Sequence, residues 1–216
     1  MTAPRPGQPP HEDLTDKVFR VGGELAYICL LSALWLLLAW PIVTLPAATV
    51  GVYATLVAHL EDGSREYVRP FWDAFRASFR MVTLPGLLLV AVAGLAGFNS
   101  YYYLVVQERT AVTIALAVVQ MLLAAVAIAL ASYLFGLAGR FHVRGAGGRP
   151  PGLRQAATSA AAAPGWSLLI IAVTAGVPAV LAWLSLWQFA PFVIGTVCYA
   201  NTRLLLRALG EAESRR

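Results

Sequence analysis

The sequence predicts an all-α membrane protein, a bundle of about six transmembrane helices with two amphipathic helices lying in the cytoplasmic interface. Three observations predict it. Hydrophobic residues make up 59% of the 216 positions and charged residues only 12%, which is not the balance of a soluble domain. The apolar residues gather in blocks of bilayer-spanning length rather than alternating with charges. Fifteen of the sixteen Lys and Arg residues fall on one side of a six-crossing topology, in the N-terminal segment, at 65–80, at 140–154 and in the C-terminal segment. Only Arg109 is left for the opposite face. Basic residues are retained on the cytoplasmic side, so a multi-pass protein of the cell membrane with both termini cytoplasmic is expected.

Residues 1–20, rich in Pro and polar groups, read as a flexible cytoplasmic tail. A single transmembrane domain follows over 21–207, and 208–216 form a second tail. The first span, 21–40, is long enough at about 1.5 Å per residue to cross a hydrocarbon core of roughly 30 Å. It ends in Trp40-Pro41 and runs on into apolar sequence, where a signal peptide would meet a small-residue cleavage site, so it reads as a retained helix. Pro41 and Pro46 bracket a tight turn. A shorter helix over 47–60 either crosses fully or forms a re-entrant hairpin. Basic segments on both sides of the pair favour two crossings, and a four-crossing version with 47–60 and 191–206 re-entrant is the alternative.

The third span covers 82–105 and turns through Gln107, Glu108 and Arg109. The fourth, 111–139, exceeds what a bilayer requires and is expected to tilt or project. After a Gly- and Pro-rich loop comes a short Ala-rich helix over 153–163, broken by Pro164-Gly165. A fifth span over 166–184 and a sixth over 191–206 complete the count. Tyr101–Tyr103, Trp183 and Trp187 fall at outer ends, where amphipathic rings favour the headgroup level.

The segment 69–80 carries a more specific pattern. On a helical wheel Phe71, Phe75 and Phe79 share one side with Trp72 beside them, while Arg69, Asp73, Arg76 and Arg80 share the other. Rings opposite a basic face describe a helix lying in the membrane interface; a juxtamembrane helix packed on the bundle has the same pattern. Leu84-Pro85-Gly86-Leu87 before the third span also parallels Ala163-Pro164-Gly165-Trp166 before the fifth, the outline of a weak parallel repeat.

Trp40-Pro41-Ile42-Val43-Thr44-Leu45-Pro46-Ala47-Ala48-Thr49, then Val52-Tyr53-Ala54, then the run from Pro70-Phe71-Trp72-Asp73 to Phe79-Arg80, resemble the YesL-like family of bacterial integral membrane proteins. The resemblance is strongest over 14–84 and extends more loosely to Asn201-x-Arg203. Ser32 and Ser78 depart from it, standing where the family pattern has Asn. It implies no established molecular activity. It implies an association with sugar uptake, in which such proteins are described as permeases or transport accessories.

Candidate chemistry is sparse. The spans hold no Asp, Lys or Arg at depth, and Glu24 sits near the cytoplasmic end of the first helix, where water, Lys17 or Arg20 can neutralise it. Thr44, Thr49, Asn99 and Gln120 are the candidate contacts for a polar solute, Asn99 and Gln120 across the third and fourth helices; interhelical hydrogen bonding is the competing role. His11, His59 and His142 show no metal-ligand spacing, and no catalytic or cofactor-binding motif occurs. Gly145-Ala146-Gly147-Gly148 meets Pro150 rather than a phosphate-binding helix. Cys29 and Cys198 lie in apolar segments and read as core residues. The positive-inside distribution accounts for the net charge of +5, so nucleic acid is not an expected partner. Ala93/Gly97 and Ser132/Gly136 have the spacing of close helix contacts. The expected function is a non-enzymatic accessory of solute uptake, partnered by the bilayer and a transporter complex and using no cofactor. A small permease for an uncharged polar solute is the second reading. Oligomeric state is not legible.

Overall fold

Proline, glycine and threonine punctuate the apolar blocks into helices. The computed structural model describes residues 14–64, 66–108, 110–145, 150–184 and 190–214, and among these the protein is helical with no strand. Seven α-helices follow in order: α1 Leu14–Ala39, α2 Leu45–Asp62, α3 Val68–Tyr101, α4 Ala111–Val143, α5 Leu153–Ala162, α6 Pro164–Trp183 and α7 Ala190–Ser214. Pro41 ends α1 and opens a 3₁₀ turn, Ile42–Thr44. The Thr44 hydroxyl donates to the carbonyls of Leu38 and Pro41, and Pro46 occupies the first turn of α2, where its missing N–H costs nothing. Gly63, at φ 66°, closes α2 in the left-handed conformation that glycine adopts freely. Thr110 and Thr113 cap the start of α4 reciprocally.

The centre of the bundle is α2. Pro46, Ala47, Ala48 and every residue from Val50 to Ala58 are buried, as befits a helix that is apolar all round. Helices α1, α3, α4 and α7 surround it. Two glycines set how closely they approach. A Cβ at Gly51 would lie 3.0 Å from the Phe71 ring on α3. A Cβ at Gly139 of α4 would lie 2.7 Å from the Ala54 nitrogen on α2. Small residues let helix backbones meet where lipid offers no hydrophobic drive to association.

Polar contacts tie helix ends together. Glu24 near the start of α1 meets His59 near the end of α2. Glu61, also at the end of α2, accepts hydrogen bonds from Arg140 Nε (3.1 Å) at the end of α4 and from Arg144 Nη2 (3.1 Å) just beyond it. Trp166 Nε1 at the start of α6 donates to Glu211 on α7 (3.1 Å). The Ser167 hydroxyl donates to the Ala160 carbonyl of α5 at 2.9 Å and lies 3.2 Å from the Tyr133 hydroxyl of α4, from which it can then accept. Successive long helices therefore run in alternating directions, with the starts of α1 and α3 and the ends of α2 and α4 at one end.

Several expected boundaries move. Helix α1 starts at Leu14, so part of the expected N-terminal tail is helical, and α7 runs to Ser214 through most of the expected C-terminal tail. The aromatic segment 69–80 is not a separate interfacial helix: it continues without a break into the third span as α3, which then widens into a π-helical turn, Tyr102–Val106. Pro85 is accommodated inside α3, where Gly86 lets the helix close on Pro46 and Phe135. The matching Pro164 does break the chain. Ahead of it Ala163 leaves the helical region at φ −133°, ψ 65°, and α5 and α6 meet at 108°. The expected repeat thus differs between its two copies.

Among the described residues four helical segments are long and apolar enough to cross a membrane: Val21–Ala39, Ile42–Asp62, Val68–Val106 and Ala111–Val143. Counting the bent pair α5–α6 as one span gives five. The expected sixth span lies in α7, where Asn201, Arg203 and Arg207 interrupt the apolar run. Arg109 and Trp187 lie outside the described residues, as does the core of the 146–149 loop.

Candidate functional site

No hydrogen bond among the described residues joins the four residues singled out as solute contacts to one another. Thr44 closes the turn before α2. Thr49 donates to the Leu45 carbonyl (2.8 Å) and accepts from Trp35 Nε1 (3.0 Å), joining α2 to α1. Asn99 and Gln120 are half-buried on α3 and α4, and no hydrogen bond among the described residues links them. At their level it is Ser100 that faces α4, its hydroxyl 2.8 Å from the Ala96 carbonyl and 3.3 Å from that of Ala117. Ser32 and Ser78, the two departures from the family pattern, donate to the carbonyls of Ile28 and Ala74 within their own helices. The Ser132/Gly136 pair is buried, whereas Gly97 faces open space.

At the start of α3 the rings form a ladder. Phe71 stacks toward Phe75 with centroids 6.3 Å apart, Trp72 toward Phe75 at 5.5 Å, and Phe79 follows at 6.0 Å. Phe71 is 1% exposed against α2, which corrects its expected place in lipid: its ring fills the space left by the missing side chain of Gly51. Trp72 is exposed, with the Arg76 guanidinium 4.7 Å above its ring. Arg69, Asp73 and Arg80 are exposed too, and Arg69 pairs loosely with Asp73 at 3.9 Å.

Two polar constellations emerge instead. The first centres on His59, which sequence reasoning left as a helix-end residue. Its Nδ1 lies 3.0 Å from the Ser64 carbonyl and its Nε2 3.2 and 3.3 Å from the two Glu24 oxygens. Tyr27 stacks on the imidazole at 4.5 Å and donates to the Thr55 carbonyl at 3.1 Å, and Tyr67 meets the Tyr27 ring edge-on at 5.4 Å. Phe19, Gly23, Glu24, Tyr27, His59 and Tyr67 line an open groove of about 820 Å³ here. A carbonyl only accepts, so Nδ1 carries hydrogen. The pair joins α1 to α2 through one side-chain contact.

The second constellation lies inside the bundle. The Asn201 amide on α7 donates to the Thr174 hydroxyl on α6 at 2.8 Å. Tyr53 on α2 faces Asn201, Cys198 and, on α4, Ser132. Sequence reading met Ser132 only as a partner of Gly136 and Asn201 only within the family pattern, because nothing in the spacing says that four helices bring these side chains together. Among the described residues no group of three or more His, Cys, Asp or Glu side chains is arranged to hold a metal ion.

Compared with known proteins, residues 28–100 match the family described as "Protein of unknown function, DUF624". That stretch runs from the middle of α1 through α2 to the end of α3, and so takes in the central helix, Trp35–Thr49 and the aromatic ladder. No curated protein and no solved structure matches the chain. Over α1 to α3 the chain is therefore similar to a family whose function is not known.

Proposed function

We propose that this chain is a non-enzymatic, multi-pass component of the cell membrane, with both termini cytoplasmic, that assists solute uptake through contacts with a transporter or with lipid. The finer likeness to YesL-like proteins belongs to this reading, and with it carbohydrate as the class of solute. One observation carries the proposal: α2, the helix that any central path would have to follow, is buried without a break from Val50 to Ala58 in a mostly apolar core. An ion-coupled carrier keeps a charged group or a broken helix near mid-membrane. Here the Glu24–His59 joint sits at a helix end and α2 is continuous.

The exposed start of α3 supports the contact role. Arg69, Trp72, Arg76 and Arg80 offer an aromatic and basic surface suited to the phosphate level of a bilayer. Trp72 and the half-buried Phe79 are the rings available for it, since Phe71 is taken up by α2.

The second reading, a small permease for an uncharged polar solute, draws on the interior cluster of Tyr53, Ser132, Thr174 and Asn201. Vesicle swelling separates the two. Purified protein in liposomes should leave the swelling rates in glucose, arabinose and glycerol equal to those of empty vesicles. Saturable acceleration by any of them would favour the permease. Co-purification of a transporter from the native membrane, lost when Trp72, Arg76 and Arg80 are replaced together, is the positive arm.

A further inference from the structure

Asn201 is 2% exposed, and its side-chain oxygen is shielded and accepts no hydrogen bond among the described residues. The other end of the same amide is held by Thr174. Reversing the amide would not remove the difficulty, since it would exchange an unpaired oxygen for an unpaired NH₂. A buried polar atom without a partner is unusual in a folded protein and is costly where no bulk water can reach it.

Its surroundings are suited to supplying a partner. Tyr53 on α2 makes side-chain hydrogen bonds with Asn201 on α7 and Ser132 on α4, and the two hydroxyls can each donate as well as accept, while the Asn201 oxygen is still left without a donor. The cluster contains no charged side chain, so it offers an ion no compensating charge. An apolar group would leave the Asn201 oxygen as it is. A neutral hydroxyl satisfies all three groups, donating to Asn201 while accepting from Tyr53 or Ser132.

We propose that Tyr53, Ser132 and Asn201 form a buried site for a single hydroxyl group, supplied by water or by the hydroxyl end of an uncharged polyol. The site does not rest on the accessory role. Bridging water would make it a fastening among α2, α4 and α7, whereas a polyol would make it a solute contact.

An experimental structure of the full chain in detergent, at a resolution that shows ordered water, tests the site directly. Density is expected within about 3.2 Å of the Asn201 oxygen and of the Tyr53 or Ser132 hydroxyl. An Asn201 oxygen bonded directly to a protein hydroxyl, or a site with no density, overturns the proposal. Thermal unfolding of Tyr53→Phe, Asn201→Leu and the double variant provides a second test. One substitution already releases the bridging group, so the double variant should lose clearly less than the sum of the two midpoint shifts; additive shifts overturn the proposal. Erythritol titration identifies the source. A saturable rise in the parent midpoint that Tyr53→Phe abolishes assigns the hydroxyl to a polyol, and equal shifts in both assign it to water.

Discussion

The His59 imidazole reaches across to Glu24, 35 positions earlier in the chain, at 3.2 Å, while its other nitrogen holds the Ser64 carbonyl at 3.0 Å. The bond fastens the start of α1 to the end of α2 and to the turn that leads into α3. Glutamine at position 24 can donate its amide hydrogen to Nε2, so Glu24→Gln should keep most of the stability that Glu24→Ala loses. Glu24 is partly exposed, so the alanine loss should be about 1 kcal/mol, near the low end for a charge-assisted bond. Thermal unfolding in detergent measures both. Equal losses would show that the side chain acts only by filling space.

Phe71 and Trp72 are neighbours in sequence with opposite fates. Phe71→Ala opens a hole against Gly51 and should cost about 3–5 kcal/mol. Trp72→Ala should cost less, about 1–2 kcal/mol, because the partly exposed ring gives up only its contacts with Arg76 and Phe75. Chemical unfolding of the two variants gives the order, and a larger loss from Trp72 would contradict the burial of Phe71 under α2.

The contrast explains what the sequence could and could not convey. Helix order, the Pro41–Pro46 turn and the break at Pro164 were legible, because apolar block length and backbone punctuation are local signals; the count was not, since six spans were expected and four or five segments among the described residues are long and apolar enough. Residues 69–80 and 82–105 were expected as two helices because an amphipathic pattern gives way there to an apolar run; α3 continues through both and through Pro85, where Gly86 packs on Pro46 and Phe135, a contact that is not local. The wheel of residues 69–80 correctly separated rings from charges, yet it could not say whether α2 or lipid covers Phe71. Thr44 and Thr49 were named, and both proved to fasten backbone. His59 and the Tyr53–Asn201 cluster escaped notice because their partners lie on other helices.

Gly139 and Gly97 provide a matched pair on the packing of α4 and α3. Gly139→Ala places a methyl against the α2 backbone and should destabilise the bundle by about 1–3 kcal/mol. Gly97→Ala meets open space and should be neutral or stabilise by up to about 0.5–1 kcal/mol through helix propensity. Thermal midpoints of the two single variants decide it. A costly Gly97→Ala would point to a second surface packed on that face.

Glu61 binds two arginines of unequal exposure: the Arg140 side chain is 13% exposed and that of Arg144 is 51%. Arg140→Gln should cost about 1.5–3 kcal/mol, and Arg144→Gln less than about 1 kcal/mol. The smaller effect should fade further at high ionic strength, where exposed pairs are screened. Unfolding midpoints at low and high salt test both statements.

Reactivity of a cysteine at position 55 bears most directly on the packed centre around α2. Thr55 is wholly buried midway along α2, and cysteine is close to it in size. In a background with Cys29 and Cys198 replaced, Thr55→Cys in intact and inverted vesicles is exposed to a membrane-impermeant thiol reagent, with Asp73→Cys as the exposed control. A closed bundle predicts no labelling of Thr55→Cys from either side under conditions that fully label Asp73→Cys from one. Labelling of Thr55→Cys from either side would reveal a water-filled path along α2 and contradict the packed centre.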